Sequence, residues 1–293
     1  MTDLIYSRKA NNSFLDWNEI AMKAPAALSN GHKDSLSDIY GEVDTKDVID
    51  IMADYGYRVT QAAQKKPRKA SEIPFAEHLL AFSQDESFFV GSDNEVRPEL
   101  VMYNSRNGKS SLKLFTGVFR FICSNGSVVG DGTQQVIRHT TGNVADVEAA
   151  IRAAAQDLPT VLHKVHSLKN IELDQDRIIE LARNAAALRW DYRKDVANDE
   201  RGSYATDHTA MSLAYGVRRF EDMGNNLWTV YSRMQEHLVR GGVEVFSRTD
   251  KQPHGRYRTA GAVRSVSESV RVNRELWDLV ENAALEDGHM IAA

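Results

Sequence analysis

Cysteine is almost absent from this chain of 293 residues, which holds only Cys123. A single cysteine excludes an internal disulfide framework and a zinc site built from several thiolates. No apolar run approaches the 18 residues of a membrane helix, and residues 1–6 lack the charged-then-apolar pattern of a secretion signal. With 42% hydrophobic and 26% charged residues, the sequence predicts a soluble globular protein of the cytoplasm that does not associate with membranes.

Motifs for catalysis and cofactor binding are also missing. There is no HExxH, no EF-hand loop, no GxxxxGK[ST] and no GxSxG. His163 and His166 share a predicted helix face, but no carboxylate pair near them completes a metal site. Cys123 ends a strand-like Phe-Arg-Phe-Ile run, which is more typical of an inert buried thiol than of a nucleophile activated by His139. We therefore expect no metal, cofactor or catalytic residue, and a non-enzymatic protein.

Hydrophobic periodicity divides the chain into two halves. Strand-like segments separated by turns such as Asn107-Gly108 predict an antiparallel meander; they are residues 78–82, 88–90, 99–103, 112–123 and 134–137. Helical spacing predicts short N-terminal helices and longer ones after residue 143; they are residues 12–30, 45–56, 143–165 (kinked or divided at Pro159), 174–194, 226–240 and 264–286. The predicted fold class is α+β. Residues 1–142 would form an α+β domain with the antiparallel sheet, and residues 143–293 a mostly helical region packing on that sheet.

Positive charge is concentrated in two segments of an acidic chain whose net charge is −5. Residues 101–140 carry 5 Lys+Arg against 1 Asp+Glu. Residues 201–274 carry 12 Lys+Arg against 7 Asp+Glu, and 11 of these 12 basic residues are arginine. Arginine suits forked hydrogen bonding to phosphate and stacking on rings. Local clusters of this kind attract polyanions even when the whole chain is negative. The alternative is that these arginines form ordinary surface pairs with neighbouring carboxylates.

Three groups of residues are candidate nucleic-acid contacts. The first lies between a predicted strand and a predicted helix, where Arg138 and Thr141 could hold a phosphate at the helix start. The alternative there is that Thr141 or Asn143 simply caps the helix.

The second group surrounds the Asn107-Gly108 turn, where basic and aromatic residues alternate. It consists of Arg106, Lys109, Lys113, Phe115 and Arg120, with Tyr103 as a further stacking candidate. The alternative is that the aromatic rings form the core of the sheet while the lysines reach water. The third group is Arg248, Arg256 and Arg258, in a polar, turn-rich stretch that predicts an exposed loop or ribbon.

Several stretches of the chain also resemble one known family. The block from Leu114 to Gly126, Leu-Phe-Thr-Gly-Val-Phe-Arg-Phe-Ile-Cys-Ser-Asn-Gly, followed by Val129-Gly130-Asp131 and Arg138-His139, is similar to the phage- and plasmid-related family known as domain of unknown function 932. Weaker agreement near Asn226-Leu227-Trp228 and Asn273 to Trp277 extends the resemblance over residues 24–280. The resemblance implies a setting in DNA metabolism or in interference with host defence, and no catalytic residues. The order of hairpin, strands and long helix is also similar to that of ring-forming single-strand annealing proteins.

Together these observations predict a phage- or plasmid-derived DNA-binding protein that holds single-stranded DNA and acts as a homo-oligomer, in recombination or replication. The alternative is an interaction protein that inhibits a host defence factor through the acidic N-terminal face or through the terminal acidic segment, residues 281–287. A hydrolase or nuclease is the third hypothesis, for which the sequence offers no metal ligands.

Overall fold

The computed structural model describes residues 14–33, 36, 43–84, 96–108, 110–120, 126–128, 135–139, 144–196 and 201–289, and only the backbone at 96, 97, 117–120, 126–128 and 266. The chain divides into two compact units. Unit 1 consists of Met1–Leu162 with Arg264–Ser267, and unit 2 of His163–Val263 with Glu268–Ala293. The boundary falls inside the longest helix.

Unit 1 contains an antiparallel sheet of six strands. Its elements are α1 (Trp17–Lys23), α2 (Thr45–Asp54), β1 (Tyr57–Gln64), β2 (His78–Gln84), β3 (Val96–Asn104), β4 (Leu112–Arg120), β5 (Gly126–Val128), β6 (Gln135–Ile137) and the first part of α3 (Val144–Lys169). Strands β1 to β5 are neighbours in chain order, and β6 pairs with the start of β4. The predicted α+β class with an antiparallel sheet in the N-terminal half is confirmed, whereas the strand predicted at residues 88–90 lies outside the described residues.

The core of unit 1 follows from alternation along the strands. Leu112 and Leu114 on β4 point to the same face as Met102 on β3, because residues two apart share a side of the sheet and Met102 pairs with Leu114. That face packs against apolar side chains of α2 and α3, including Met52 and Ile151. Burying each such side chain stabilises the fold by about 1.5–3 kcal/mol.

Helix α3 resolves one open expectation. The sequence predicted either a kinked helix or two helices at Pro159, and the structure has one continuous helix from Val144 to Lys169. Proline removes one backbone donor from the helix ladder. An apolar stripe that includes Ile151, Ala154 and Val165 continues on both sides of Pro159 and is buried.

Unit 2 combines helices with a second, four-stranded sheet. Its elements after α3 are α4 (Gln175–Ala187), β7 (Asp191–Tyr192), β8 (Gly202–Ala205), α5 (Asp207–Tyr215), α6 (Leu227–Arg240), β9 (Glu244–Thr249), β10 (Gln252–Thr259) and α7 (Val266–Glu286). The sheet order is β10-β9-β8-β7, with β7 parallel to β8 and the other pairs antiparallel. The ribbon predicted for residues 246–261 is therefore the β9–β10 hairpin.

Helix ends are set by local chemistry. Asn226 caps α6 by accepting a hydrogen bond from the Thr229 backbone N–H (2.9 Å), and Gly241 ends the helix at φ 74°. The predicted range 226–240 is confirmed. At α2 the cap is Asp44, while the hydroxyl of the next residue, Thr45, is hydrogen-bonded to His78 and Asn104.

The described part of the chain contains neither a membrane-spanning helix nor a cluster of metal ligands. No helix there is long and apolar enough to cross a membrane. No group of three or more His, Cys, Asp or Glu side chains is placed there to hold a metal ion.

Candidate nucleic-acid interface

Strand β10 is an edge strand whose side chains stay exposed along almost its whole length. Among the described strands it pairs with β9 alone, and all its residues except Gln252 and Gly255, which are half-buried, are exposed. Arginine and proline on an edge strand also protect it against pairing with another sheet. The strand thus offers a row of polar, basic and aromatic groups to solvent.

A bulge shapes this strand. The register of β10 against β9 shifts between Gln252 and Arg256, and Gly255 within the bulge has φ 69°. A Cβ atom at residue 255 would lie 2.2 Å from the Phe246 ring. Glycine is therefore needed there for both its backbone angle and the close approach of the ring.

One side of the hairpin carries two arginines next to two hydroxyls. Arg256 pairs with Ser247 and Arg258 with Val245, so both arginines lie on the same face. The Arg258 guanidinium donates to Ser203 Oγ (2.9 Å), which lies 3.3 Å from Ser247 Oγ. We call Arg256, Arg258, Ser203 and Ser247 the arginine face.

The arginine face is not neutralised by neighbouring acids. Among the residues that the structure describes, no carboxylate lies within ion-pair distance of Arg256 or Arg258. By contrast, Arg201 near the β9–β10 turn is paired with Asp250 (2.9 Å). Two guanidinium groups with free donors and adjacent hydroxyls match the acceptor oxygens of a phosphate.

The other side of β10 presents an aromatic ring. Tyr257 is 43% exposed, its ring lies 4.6 Å from the His208 ring and 5.6 Å from that of Phe246, and its hydroxyl is 3.1 Å from Thr206 Oγ1. These contacts fix the ring while leaving part of it open. A ring held in this way can stack on a base at small entropic cost.

Arg248 behaves differently from the other predicted residues of this segment. Its side chain is buried, and its guanidinium carbon lies 5.3 Å from the Phe246 ring centre. The expectation of a solvent-exposed Arg248 contact is therefore corrected, because only 5% of the residue is exposed.

In unit 1, the residues predicted around the Asn107-Gly108 turn are mostly inside. The Arg106 side chain is fully buried, where it pairs with Asp44 (2.6 Å) and donates to the Ser29 carbonyl. Phe115 and Tyr103 are also buried, and burial raises the pKa of Tyr103. The expectation that Arg106 and Phe115 lie on a binding surface is therefore wrong. Arg106 forms an ion pair with Asp44, and the rings of Phe115 and Tyr103 are buried in unit 1.

Two further predicted contacts of unit 1, Lys113 and Arg138, lie near β6. Lys113 on β4 is half-buried and pairs with Val136, and exposed Arg138 follows β6 directly. Arg138 lines a groove of about 560 Å³ together with Gln135, Asp146 and alanines of α3. Four predicted residues cannot be placed, because the structure does not describe Lys109, Cys123, Thr141 or the side chain of Arg120. Phosphate binding by Arg138 and Thr141 at the start of α3 therefore stays a prediction.

Comparison with known proteins gives the family. Residues 33–277 match the family described as Domain of unknown function (DUF932). The chain belongs to this family. The predicted resemblance is thereby confirmed over most of the chain.

Two proteins of Escherichia coli (strain K12) are similar to this DUF932 chain. UPF0380 protein YafZ and UPF0380 protein YfjQ are each 27% identical over 268 residues, covering 90% of this chain and 89% of each relative. Neither name states an activity. No solved structure matches the chain.

The sequence predicted the arginines of β10 as contacts, but not the residues that surround them in the folded unit. Tyr257, Ser203 and His208 were not singled out, although Arg-Tyr-Arg at residues 256–258 alternates basic and aromatic side chains. The contribution of Ser203 could not be found locally, because it reaches the face through pairing of β8 with β9.

Proposed function

We propose that this protein binds single-stranded DNA, with the phosphates on the arginine face and a base on Tyr257. The observation that carries the proposal is the pair of exposed arginines, Arg256 and Arg258, without a carboxylate partner among the described residues. Backbone phosphates supply most of the affinity in such complexes. A role in recombination or replication of phage or plasmid DNA agrees with the resemblance described above.

The strand preference follows from Tyr257. The ring lies on the opposite side of this edge strand from the two arginines, so a flexible single strand that crosses the edge can reach both. Its unpaired bases have open faces, whereas the bases of a duplex are already stacked on each other. A β-ribbon can also enter the major groove of duplex DNA. Oligonucleotides of both kinds must therefore be compared.

An acidic binding surface has less support. Of the carboxylates in residues 281–287, Glu281 pairs with Lys164 (3.0 Å), and both Glu286 and Asp287 pair with Arg177 (3.0 Å each). These three carboxylates thus already form ion pairs with basic side chains of unit 2. We therefore prefer nucleic acid to a basic host protein as the ligand.

Fluorescence anisotropy with a labelled oligo-dT tests the proposal. We expect the double variant Arg256→Gln/Arg258→Gln to bind at least about tenfold more weakly, and its log affinity to fall less steeply with log salt, by roughly 0.7 per lost phosphate contact. Tyr257→Ala should weaken binding by about 1–3 kcal/mol without changing the salt slope.

The matched control is Lys66→Gln/Arg68→Gln, which removes the same charge from exposed residues of unit 1. An equal loss in both double variants would mean that binding follows net charge and not the arginine face. No binding by the wild-type protein at low salt and micromolar concentration would refute the proposal. Equal affinity for a duplex would refute the strand preference.

A further inference from the structure

A carboxylate lies on the same side of the β9–β10 hairpin as Tyr257. In the register of the two strands, Tyr257 is opposite Phe246 and Thr259 is opposite Glu244. Because residues two apart along a strand share a side of the sheet, Glu244 lies on the Tyr257 side and away from the arginine face. The hairpin therefore presents guanidinium groups on one side, and a carboxylate near an aromatic ring on the other.

His208 connects this carboxylate to the tyrosine ring. Its ring centre lies 4.6 Å from that of Tyr257, with an interplanar angle of 55°. Its Nε2 donates to Glu244 Oε2 (2.9 Å), since an ionised carboxylate only accepts. The side chains of His208 and Glu244 are 48% and 50% exposed. We call these three residues the ring platform, which consists of two partly open rings with a carboxylate at their edge.

The start of α5 holds the ring platform in place. Thr209 Oγ1 donates to the backbone carbonyl of Glu244 (2.7 Å), and the Thr206 hydroxyl lies 3.1 Å from that of Tyr257. Both threonines are buried. The platform is thus ordered before a ligand arrives, so that binding costs little conformational entropy.

The carboxylate decides which part of a DNA strand can occupy the platform. Glu244 repels a phosphate, whereas the N–H groups of a base are donors that it can accept. Among the residues that the structure describes, His208 is the one side-chain partner of Glu244. An ionised carboxylate offers about four lone-pair positions on its two oxygens, so most of them stay available to a base.

Among the DNA bases, guanine has the donors that suit Glu244 best. Its Watson–Crick edge places N1–H beside the 2-amino group, and a carboxylate can accept from both at once. Thymine has a single N3–H between two carbonyl oxygens, which Glu244 repels, while adenine and cytosine each offer one amino group. A base on the two rings therefore gains most from Glu244 when it is guanine.

We propose that Glu244 makes this site select single strands that contain guanine, with phosphates on the arginine face and the guanine edge on the carboxylate. His208 is a positioning residue, since it fixes the carboxylate beside the rings. The inference rests on the proposed function, because a base reaches the ring platform only when the strand crosses β10.

Fluorescence anisotropy with labelled strands of equal length tests the inference. The strands are oligo-dT and thymine strands that carry guanine, adenine or inosine at every third position, in a lithium buffer that keeps guanine strands from associating. We expect wild-type protein to bind the guanine strand at least about fivefold more tightly than oligo-dT or the adenine strand. It should also bind the guanine strand more tightly than the inosine strand, because inosine lacks the 2-amino group. Glu244→Gln should bind all of these strands with nearly equal affinity, and oligo-dT at least as tightly as wild type does, because a negative charge near the DNA is removed.

The matched control is Asp250→Asn, which removes a carboxylate from the turn of the same hairpin, where it pairs with Arg201 (2.9 Å). Its preference for guanine should equal that of the wild-type protein. The inference is overturned if wild type binds the adenine or inosine strand as tightly as the guanine strand. It is also overturned if the preference survives in Glu244→Gln, or if Asp250→Asn loses it to the same extent. In each of these cases, weaker oligo-dT binding by Arg256→Gln/Arg258→Gln would still support the proposed function. If wild type binds none of the strands, the proposed function and this inference both fail.

Discussion

Histidine 78 should make unit 1 sensitive to acid. Its ring is fully buried, with Nε2 2.9 Å from Thr45 Oγ1 and Nδ1 3.0 Å from the Ala76 carbonyl oxygen. Because a carbonyl only accepts, Nδ1 carries the proton and Nε2 accepts from Thr45. Burial lowers the pKa of His78 from 6.5 to about 4, and the nearby positive charge of Arg106 contributes to the shift.

The sign of the effect follows from this lowered pKa. Below its ordinary pKa of 6.5 the histidine of the unfolded chain takes up a proton, while the folded chain stays neutral down to about pH 4. The free energy of unfolding should therefore fall as pH decreases through this window, by about 1.4 kcal/mol per pH unit and about 3 kcal/mol in all. Above pH 6.5 this histidine should have no effect on the pH dependence.

Urea unfolding, followed by pulsed hydrogen exchange of peptides from β1 and β2, measures the stability of unit 1 at each pH. His78→Gln should be less stable than wild type at neutral pH, because its amide cannot reproduce both hydrogen bonds. The gap between the two proteins should shrink by about 3 kcal/mol as pH approaches 4. His163→Gln, at an exposed histidine of α3, provides the control. A gap between His78→Gln and wild type that does not change with pH would refute the reasoning.

Three further predictions concern stability. Arg106→Met should lower the free energy of unfolding of unit 1 by about 3–5 kcal/mol in a urea titration, because it leaves Asp44 without its buried partner. The folded variant should nevertheless bind oligo-dT as tightly as wild type. Weaker binding would mean that Arg106 contacts the DNA after all. Gly255→Ala should cost at least about 1 kcal/mol and weaken DNA binding, since its φ of 69° and the Phe246 ring leave no room for a Cβ; an unchanged melting temperature would contradict this. Asn226→Ala should destabilise unit 2 by about 1 kcal/mol through loss of the α6 cap, while Asn226→Asp should retain most of the stability in the same thermal melt.

The fold was predictable where a local pattern decides it. Helix α6 was predicted over residues 226–240 because its boundaries are marked locally, by Asn226 at its start and Gly241 at its end. The second sheet was largely missed, since β7 and β8 are two and four residues long and β8 connects strands distant in sequence. Helix α5 was also missed: its capping box is Thr206 with Thr209, a weaker signal than Ser or Thr followed by Glu.

The candidate site shows why charge alone does not predict an interface. Arg106 and Arg258 both lie in polar stretches of sequence, which give them the same interpretation. Arg106 is buried because Asp44, 62 residues earlier in the chain, lies beside it in the folded unit. Arg258 is exposed on β10, which is the edge strand of its sheet among the strands that the structure describes. A guanidinium group is available to phosphate only where the tertiary structure leaves it without a carboxylate, so the exposed edge strand, rather than the most basic stretch of sequence, is where binding should be tested first.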